Sequence, residues 1–135
     1  MSLSNSRAVL VIEDDADFAE AIRDSLKGQG FSVVLSNKPN EALAKLANQK
    51  FCCVLVDLNL PGYPGTKVIS TLRKPNAKDA INFSTPIILM SGQLESEVVK
   101  GMAGKVQAVI AKPFDLKTLV EKVADLSGMT FRMAG

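Results

Sequence analysis

The sequence predicts a single α/β domain of the doubly wound, flavodoxin-like kind: five βα units on a five-stranded parallel sheet of order 2-1-3-4-5. Three observations carry this. Short unbroken apolar runs, among them residues 8–12, 51–56 and 87–90, read as strands buried on both faces, as parallel sheets require. Segments with apolar residues at helical spacing alternate with the strands five times, which implies right-handed crossovers covering both faces. Four of the five strands end in polar or charged residues: Glu13 and Asp14, then Asp57, Ser91 and Lys112. In the 2-1-3-4-5 order those tips gather at the switch point, where open α/β sheets place their chemistry.

Taken in order, residues 1–6 are expected to be a disordered or vector-derived start, 7–126 the domain, and 127–135 a weakly patterned tail. The strand over 8–12 ends in Glu13-Asp14-Asp15, and Asp17 follows. Helix capping accounts for Asp15 and Asp17, since acids are favoured at an N-cap and first turn. Glu13 and Asp14 lie too early for that and point to a cation. Phe18, Ile22 and Leu26 form one helical stripe, and Gly28 and Gly30 stop the helix. Gly28-Gln29-Gly30 follows a helix instead of a strand, so it fails as a dinucleotide fingerprint.

A second strand is expected over 31–35 and a helix over 37–48 that buries Leu43, Leu46 and Ala47. The next strand ends at Asp57 and breaks at the turn Pro61-Gly62. Within it Cys52 and Cys53 are neighbours, so their side chains are expected on opposite faces, as small core residues that neither pair nor bind zinc. A third helix over 66–73 turns Val68, Ile69 and Leu72 inward. The connection over 74–85 is long and polar, and Ile81 and Phe83 are expected to pin it to the body. A strand over 86–90 runs into Ser91-Gly92, and a helix over 95–102 follows, weakened by Gly101 and Gly104. The fifth strand, 106–111, ends in Lys112-Pro113-Phe114. Asp115 then caps a last helix whose Leu116, Leu119, Val120, Val123 and Leu126 form an apolar face.

Composition narrows the partners. The 135 residues suit one domain, and 47% apolar with 22% charged residues is an ordinary globular balance. Sixteen basic against fourteen acidic residues give no pull toward nucleic acid or a membrane surface. No apolar run approaches the ~18 residues of a spanning helix, and the N-terminus lacks a signal-peptide pattern, so a cytoplasmic protein is expected. There is no histidine, which removes both the commonest general base and a histidine phosphoacceptor. Any phosphate must come from a partner or a small molecule.

Three carboxylates brought together repel and ask for a cation, and an all-oxygen set with room for water suits magnesium (Mg2+). A hydroxyl at Ser91 and an ammonium at Lys112 suit phosphoryl oxygens, and Asp57, central among them, can act as a nucleophile forming an aspartyl phosphate. The motifs Glu13-Asp14, Val56-Asp57, Leu60-Pro61-Gly62, Met90-Ser91-Gly92 and Lys112-Pro113-Phe114, in that order at those strand ends, resemble the response-regulator receiver domain of two-component signalling. The resemblance runs from about Arg7 to Leu126. It implies that Asp57 is the phosphoacceptor, Asp14 a direct magnesium ligand and Glu13 the holder of metal-bound water. The main-chain carbonyl of Asn59 would complete the protein's share of the metal shell, Ser91 and Lys112 would contact the phosphoryl group, and Lys112-Pro113 would be cis.

The implied partners are a sensor histidine kinase or histidine phosphotransfer protein and an unidentified downstream effector. The protein would be a single-domain regulator or the receiver of a hybrid kinase, catalysing only its own phosphorylation and dephosphorylation. Other classes fit less well. A degenerate receiver binding partners without phosphate would not need all the chemical positions filled. A haloacid-dehalogenase-type phosphatase wants an acid where Asn59 stands, and a flavodoxin wants a phosphate loop where Glu13 and Asp14 would repel phosphate. One departure stands out: Val109 occupies the place of the family's switching aromatic, so the signal is expected to travel through the backbone after Ser91 and the following helix.

Overall fold

The structure, a computed structural model of the chain, describes residues 6–58, 65–77, 79–92 and 97–128. Strands β1 (Ala8–Ile12), β2 (Ser32–Ser36), β3 (Cys53–Asp57), β4 (Ile87–Ser91) and β5 (Ala108–Ala111) form one sheet in the order β2-β1-β3-β4-β5. Every pairing is parallel. Helices α1 (Ala16–Lys27), α2 (Pro39–Asn48), α3 (Gly65–Leu72), α4 (Glu97–Met102) and α5 (Leu116–Ser127) alternate with the strands. The expected fold class and strand order are therefore the observed ones. Asn59, the turn Leu60-Pro61-Gly62 and the first two residues of the helix expected over 95–102 lie outside the described residues.

The period-two pleat divides the core into two layers. Leu10, Ile12, Val54, Val56, Ile87 and Leu89 face α2, α3 and α4, meeting Leu46, Ile69 and Val99 among others. Val9, Val11, Cys53, Leu55, Ile88 and Met90 face α1 and α5, meeting Ile22, Leu26, Leu119 and Val123. The N-caps of α1 and α5 are acids at the expected places: Asp15 accepts from the Phe18 N–H at 3.0 Å, and Asp115 from that of Lys117 at 3.1 Å. After α1 the chain turns back through Gly30 at φ 92°, a left-handed conformation that glycine adopts without penalty.

Several local expectations are corrected. β2 and β4 each begin one residue later than expected, and β5 two residues later. Val106 and Gln107 remain outside the ladder although Gln107 N–H still reaches the Ile87 carbonyl at 3.0 Å. α2 begins at Pro39, which suits a first helical position because its missing N–H would be unbonded there anyway. Its inward stripe is Pro39, Ala42 and Leu46 with Leu43 half-buried, and Ala47, one residue further round, faces solvent. Cys52 and Cys53 share one core layer instead of dividing between two, because the strand starts at Cys53 and the pleat does not extend to Cys52. Both are free thiols, and burial raises the pKa of each.

The 74–85 connection is held by polar groups, where Ile81 and Phe83 had been expected to do so. Ile81 is 46% exposed, and Phe83 is half-buried. The anchor is Asn82, which has no exposed surface. Its amide donates to the carbonyls of Leu46 and Gln49 at 2.7 Å each, and its oxygen accepts from Phe51 N–H at 2.9 Å and the Thr85 hydroxyl at 2.8 Å. One side chain thus ends α2 and starts the run into β3, and a buried amide with its capacity met escapes the cost of lost solvation. Arg73, just past α3, donates to the carbonyls of Phe83 (2.6 Å), Thr85 (2.8 Å) and Lys105 (3.0 Å). It thereby ties this connection to the segment between α4 and β5.

Candidate functional site

Sheet register assembles the site. β1 and β3 pair with Ile12 opposite Val56, so the next residues, Glu13 and Asp57, stand side by side at the C-terminal edge. β3 and β4 pair with Asp57 opposite Met90, and β4 and β5 with Ser91 opposite Ala111, which places Ser91 and Lys112 at the next two tips. Pleat parity puts Glu13 and Asp57 on the face that α1 and α5 cover, and Ser91 on the face of α4. Backbone bonds fix the tips: Glu13 N–H to the Ser36 carbonyl (3.0 Å), Leu58 N–H to that of Met90 (3.0 Å), and Lys112 N–H to that of Ser91 (2.7 Å).

Glu13, Asp57 and Ser91 are nearly inaccessible, at 3%, 2% and 1% exposure, while Asp14 is exposed. Carboxylate oxygens of Glu13, Asp14 and Asp57 all lie within 4.8 Å of one another. Two buried carboxylates beside a third would be untenable alone, and Lys112 supplies the balance. Its Nζ stands 3.1 Å from Asp57 Oδ2 and 3.2 Å from Glu13 Oε1, with a quarter of the side chain exposed. Burial on its own would lower the Lys112 pKa, but the two carboxylates outweigh it and the net direction is upward. The ammonium is therefore charged at neutral pH.

Glu13 behaves differently. Burial first, then the hydrogen bond with Asp57 and that residue's charge, push its pKa up to about 7 from 4.5, against the smaller pull of the Asp15 N–H and Lys112. A carboxyl whose pKa is higher folded than unfolded favours the fold when protonated, so its contribution is complete below about 4.5 and is lost as pH rises through about 7. In magnesium-free buffer the melting temperature should fall across that window, and Glu13→Gln should flatten the slope. A parent protein whose melting temperature holds constant or rises there would show that Glu13 does not ionise against the fold.

Two further positions matter that sequence reading did not assign to the site. An ideal Cβ on Gly65, the first residue of α3, would lie 2.5 Å from the Asp57 carbonyl oxygen. Only glycine lets the helix start so close behind the strand tip. Phe18, read from its spacing as part of a core stripe, lies with its ring centroid 5.4 Å from Lys112 Nζ. An open cleft of about 260 Å³ also borders Glu13 and Asp14, but it runs toward Glu20 and Glu41, and neither Asp57 nor Lys112 lines it. The chemistry is therefore not centred there.

Of the residues expected in the site, Glu13, Asp14 and Asp57 are in mutual reach, Lys112 contacts Glu13 and Asp57, and Ser91 ends the strand beside Asp57. Asn59 lies outside the described residues. The Lys112-Pro113 bond is cis, as expected. The arrangement is a cationic side chain and an oxygen-only acidic cluster around one buried carboxylate. It suits a hard divalent cation and an anionic group carried to Asp57.

Comparison with known proteins gives a consistent set. Residues 9–124 match the family described as the response regulator receiver domain. The cell cycle transcriptional regulator CtrA of Caulobacter vibrioides is 33% identical over 116 residues, 85% of this chain and 48% of that protein. The DNA-binding response regulator MtrA of Mycobacterium leprae is 32% identical over the same shares of each. The chain thus spans about half the length of these relatives. Among solved structures, the CheY-like receiver domain protein of Methanospirillum hungatei JF-1 superposes with a TM-score of 0.78 at 23% identity, covering 92% of this chain and 95% of that one. The receiver domain of sensor histidine kinase PA1611 of Pseudomonas aeruginosa PAO1, solved with a magnesium ion coordinated in its active-site cleft, gives 0.77 at 21%, covering 91% and 98%. At these identities the two structures speak for the fold.

Proposed function

The chain belongs to the response regulator receiver domain family, and from that we propose that Asp57 accepts a phosphoryl group from the phosphohistidine of a sensor histidine kinase or histidine phosphotransfer protein. One observation carries the reading: a single ammonium, Lys112, stands within 3.2 Å of two buried carboxylates at adjoining strand tips. A fixed positive charge beside an inaccessible carboxylate stabilises negative charge arriving on it.

A carboxylate oxygen of Asp57 attacks the phosphorus, the phosphorus–nitrogen bond breaks, and its electron pair remains on the donor imidazole. The product is an acyl phosphate, which water later cleaves to the carboxylate and inorganic phosphate. Lys112 shifts from the carboxylates toward the phosphoryl oxygens as charge accumulates there, and the Ser91 hydroxyl donates to another of them. Glu13, Asp14 and Asp57, with the main-chain carbonyl of Asn59, would hold magnesium, and the fit rests on three carboxylates offering oxygens within 4.8 Å of one another. Bound there, magnesium would neutralise part of the phosphoryl charge. These 135 residues hold no histidine, so the donor imidazole lies outside them. The reaction belongs in the cytoplasm, a setting that suits two unpaired cysteines.

The phosphoryl group then biases a movable element. α4 is the candidate: six residues long, with Val99 its one buried side chain among the described residues, containing Gly101 and passing into a 3-10 turn. Short helices with little buried surface open at low cost. Val109 on β5, half-buried on the same layer, is too short and too stiff at χ1 to swing as an aromatic would. Hydrogen exchange with and without magnesium beryllofluoride tests this. Protection should change most across residues 91–105 and little in β5. The largest change in β5 or α5, with α4 constant, would contradict it.

A further inference from the structure

We propose that Phe18 is a positioning residue for phosphoryl transfer, its ring face holding the Lys112 ammonium in place over Asp57. This rests on the reading of Asp57 as the phosphoacceptor. The Lys112 Nζ that contacts Asp57 and Glu13 at 3.1 and 3.2 Å lies 5.4 Å from the centroid of Phe18. The negative face of an aromatic ring attracts a cation at that distance. The ring is itself held from two sides. Phe18 sits in the first turn of α1, where its N–H is bound by the Asp15 cap at 3.0 Å. Phe114, two residues beyond Lys112, meets it with ring centroids 5.3 Å apart and planes inclined at 52°, within the range of favourable tilted pairs. The aromatic pair thereby fastens the connection after β5 to the start of α1.

The chemistry of the ring explains why it suits this place. A lysine head on a four-carbon stem has many rotamers to lose, and two oxygen partners restrict only part of that freedom. A hydrogen-bonding third partner would have to be broken when the ammonium moves toward a phosphoryl oxygen. A ring face has no directional lone pair, so it restrains the ammonium near the carboxylates while leaving its N–H groups free to reorient. A leucine would fill much of the same space without that attraction.

The test compares Phe18→Leu, which keeps apolar bulk, with Phe18→Tyr, which keeps the ring face. In the unphosphorylated protein, the Lys112 side-chain proton resonances should carry an upfield ring-current shift that F18L loses and F18Y retains. On acetyl phosphate with magnesium, F18L should lower the saturating rate of phosphorylation about three- to tenfold, and F18Y should stay within about twofold of the parent. In a Lys112→Ala background, F18L should have no further effect, since the group it positions is gone. Equal rates in F18L and the parent, or the same loss from F18L with and without Lys112, would overturn the proposal. A parent protein that takes up no phosphate would instead sink the underlying reading, and the ring-current comparison would still decide whether Phe18 holds the ammonium.

Discussion

Asp14→Ala should weaken magnesium binding by about a hundredfold or more, beyond the ~10–100-fold typical of outer-shell partners. Asp14 is the exposed member of the acidic cluster, with an oxygen within 4.8 Å of oxygens on Glu13 and Asp57. Unlike them it has no ammonium beside it among the ion pairs of the described residues. A hard cation gains most from the carboxylate it does not share with lysine. The neighbouring acids are the controls. Asp15 is engaged as the cap of α1, and Asp17 lies in its first turn, so Asp17→Ala should change affinity by no more than about twofold at ordinary ionic strength. Titration calorimetry compares the two variants. Equal losses would mean that a diffuse acidic surface, not a built site, attracts the metal.

Lys112→Ala should separate binding from chemistry. Loss of the ammonium removes the positive charge 3.1 Å from Asp57 Oδ2 and 3.2 Å from Glu13 Oε1, and leaves two almost fully buried carboxylates facing each other. Removing one preorganised charge-stabilising group from an active site typically costs about 10²–10³ in rate, and a loss of that order is expected in labelling by acetyl phosphate. Magnesium affinity should hold or rise in the same variant, because a competing cation has left the carboxylates. The opposite responses of Asp14→Ala and Lys112→Ala to magnesium form the decisive pair. A Lys112→Ala protein that labels at the parent rate would remove lysine from the mechanism.

Much of this site was legible in the sequence because it depends on strand ends. An apolar run ending in an acid marks the tip of a buried strand, and once four tips carry polar groups, the parallel order brings them together without any further signal. The gathering of Glu13, Asp14, Asp57, Ser91 and Lys112 at one sheet edge was legible that way. Features that depend on packing between distant segments were not. Phe18 has the spacing of an ordinary core residue, and its relation to Lys112 arises only when α1 docks beside the end of β5. Asn82 looked like one more polar residue in a long connection, whereas three of its four bonds reach back more than thirty positions to the end of α2 and to Phe51 before β3. Gly65 carried no motif, since its role is the absence of a Cβ near the Asp57 carbonyl. Ala47 was misplaced because alanine at helical spacing fits either side of a stripe, and the register of α2 was set by Pro39.

The central claim is that Asp57 is a phosphoacceptor, and intact-mass measurement after incubation with acetyl phosphate tests it most directly. The protein should gain the mass of one phosphate in the presence of magnesium, lose the gain when magnesium is chelated, and show none in Asp57→Asn. Peptide mapping after borohydride reduction of the acyl phosphate should place it at residue 57. An unchanged mass under conditions that label another receiver domain, or a phosphate that persists in Asp57→Asn, would contradict the account.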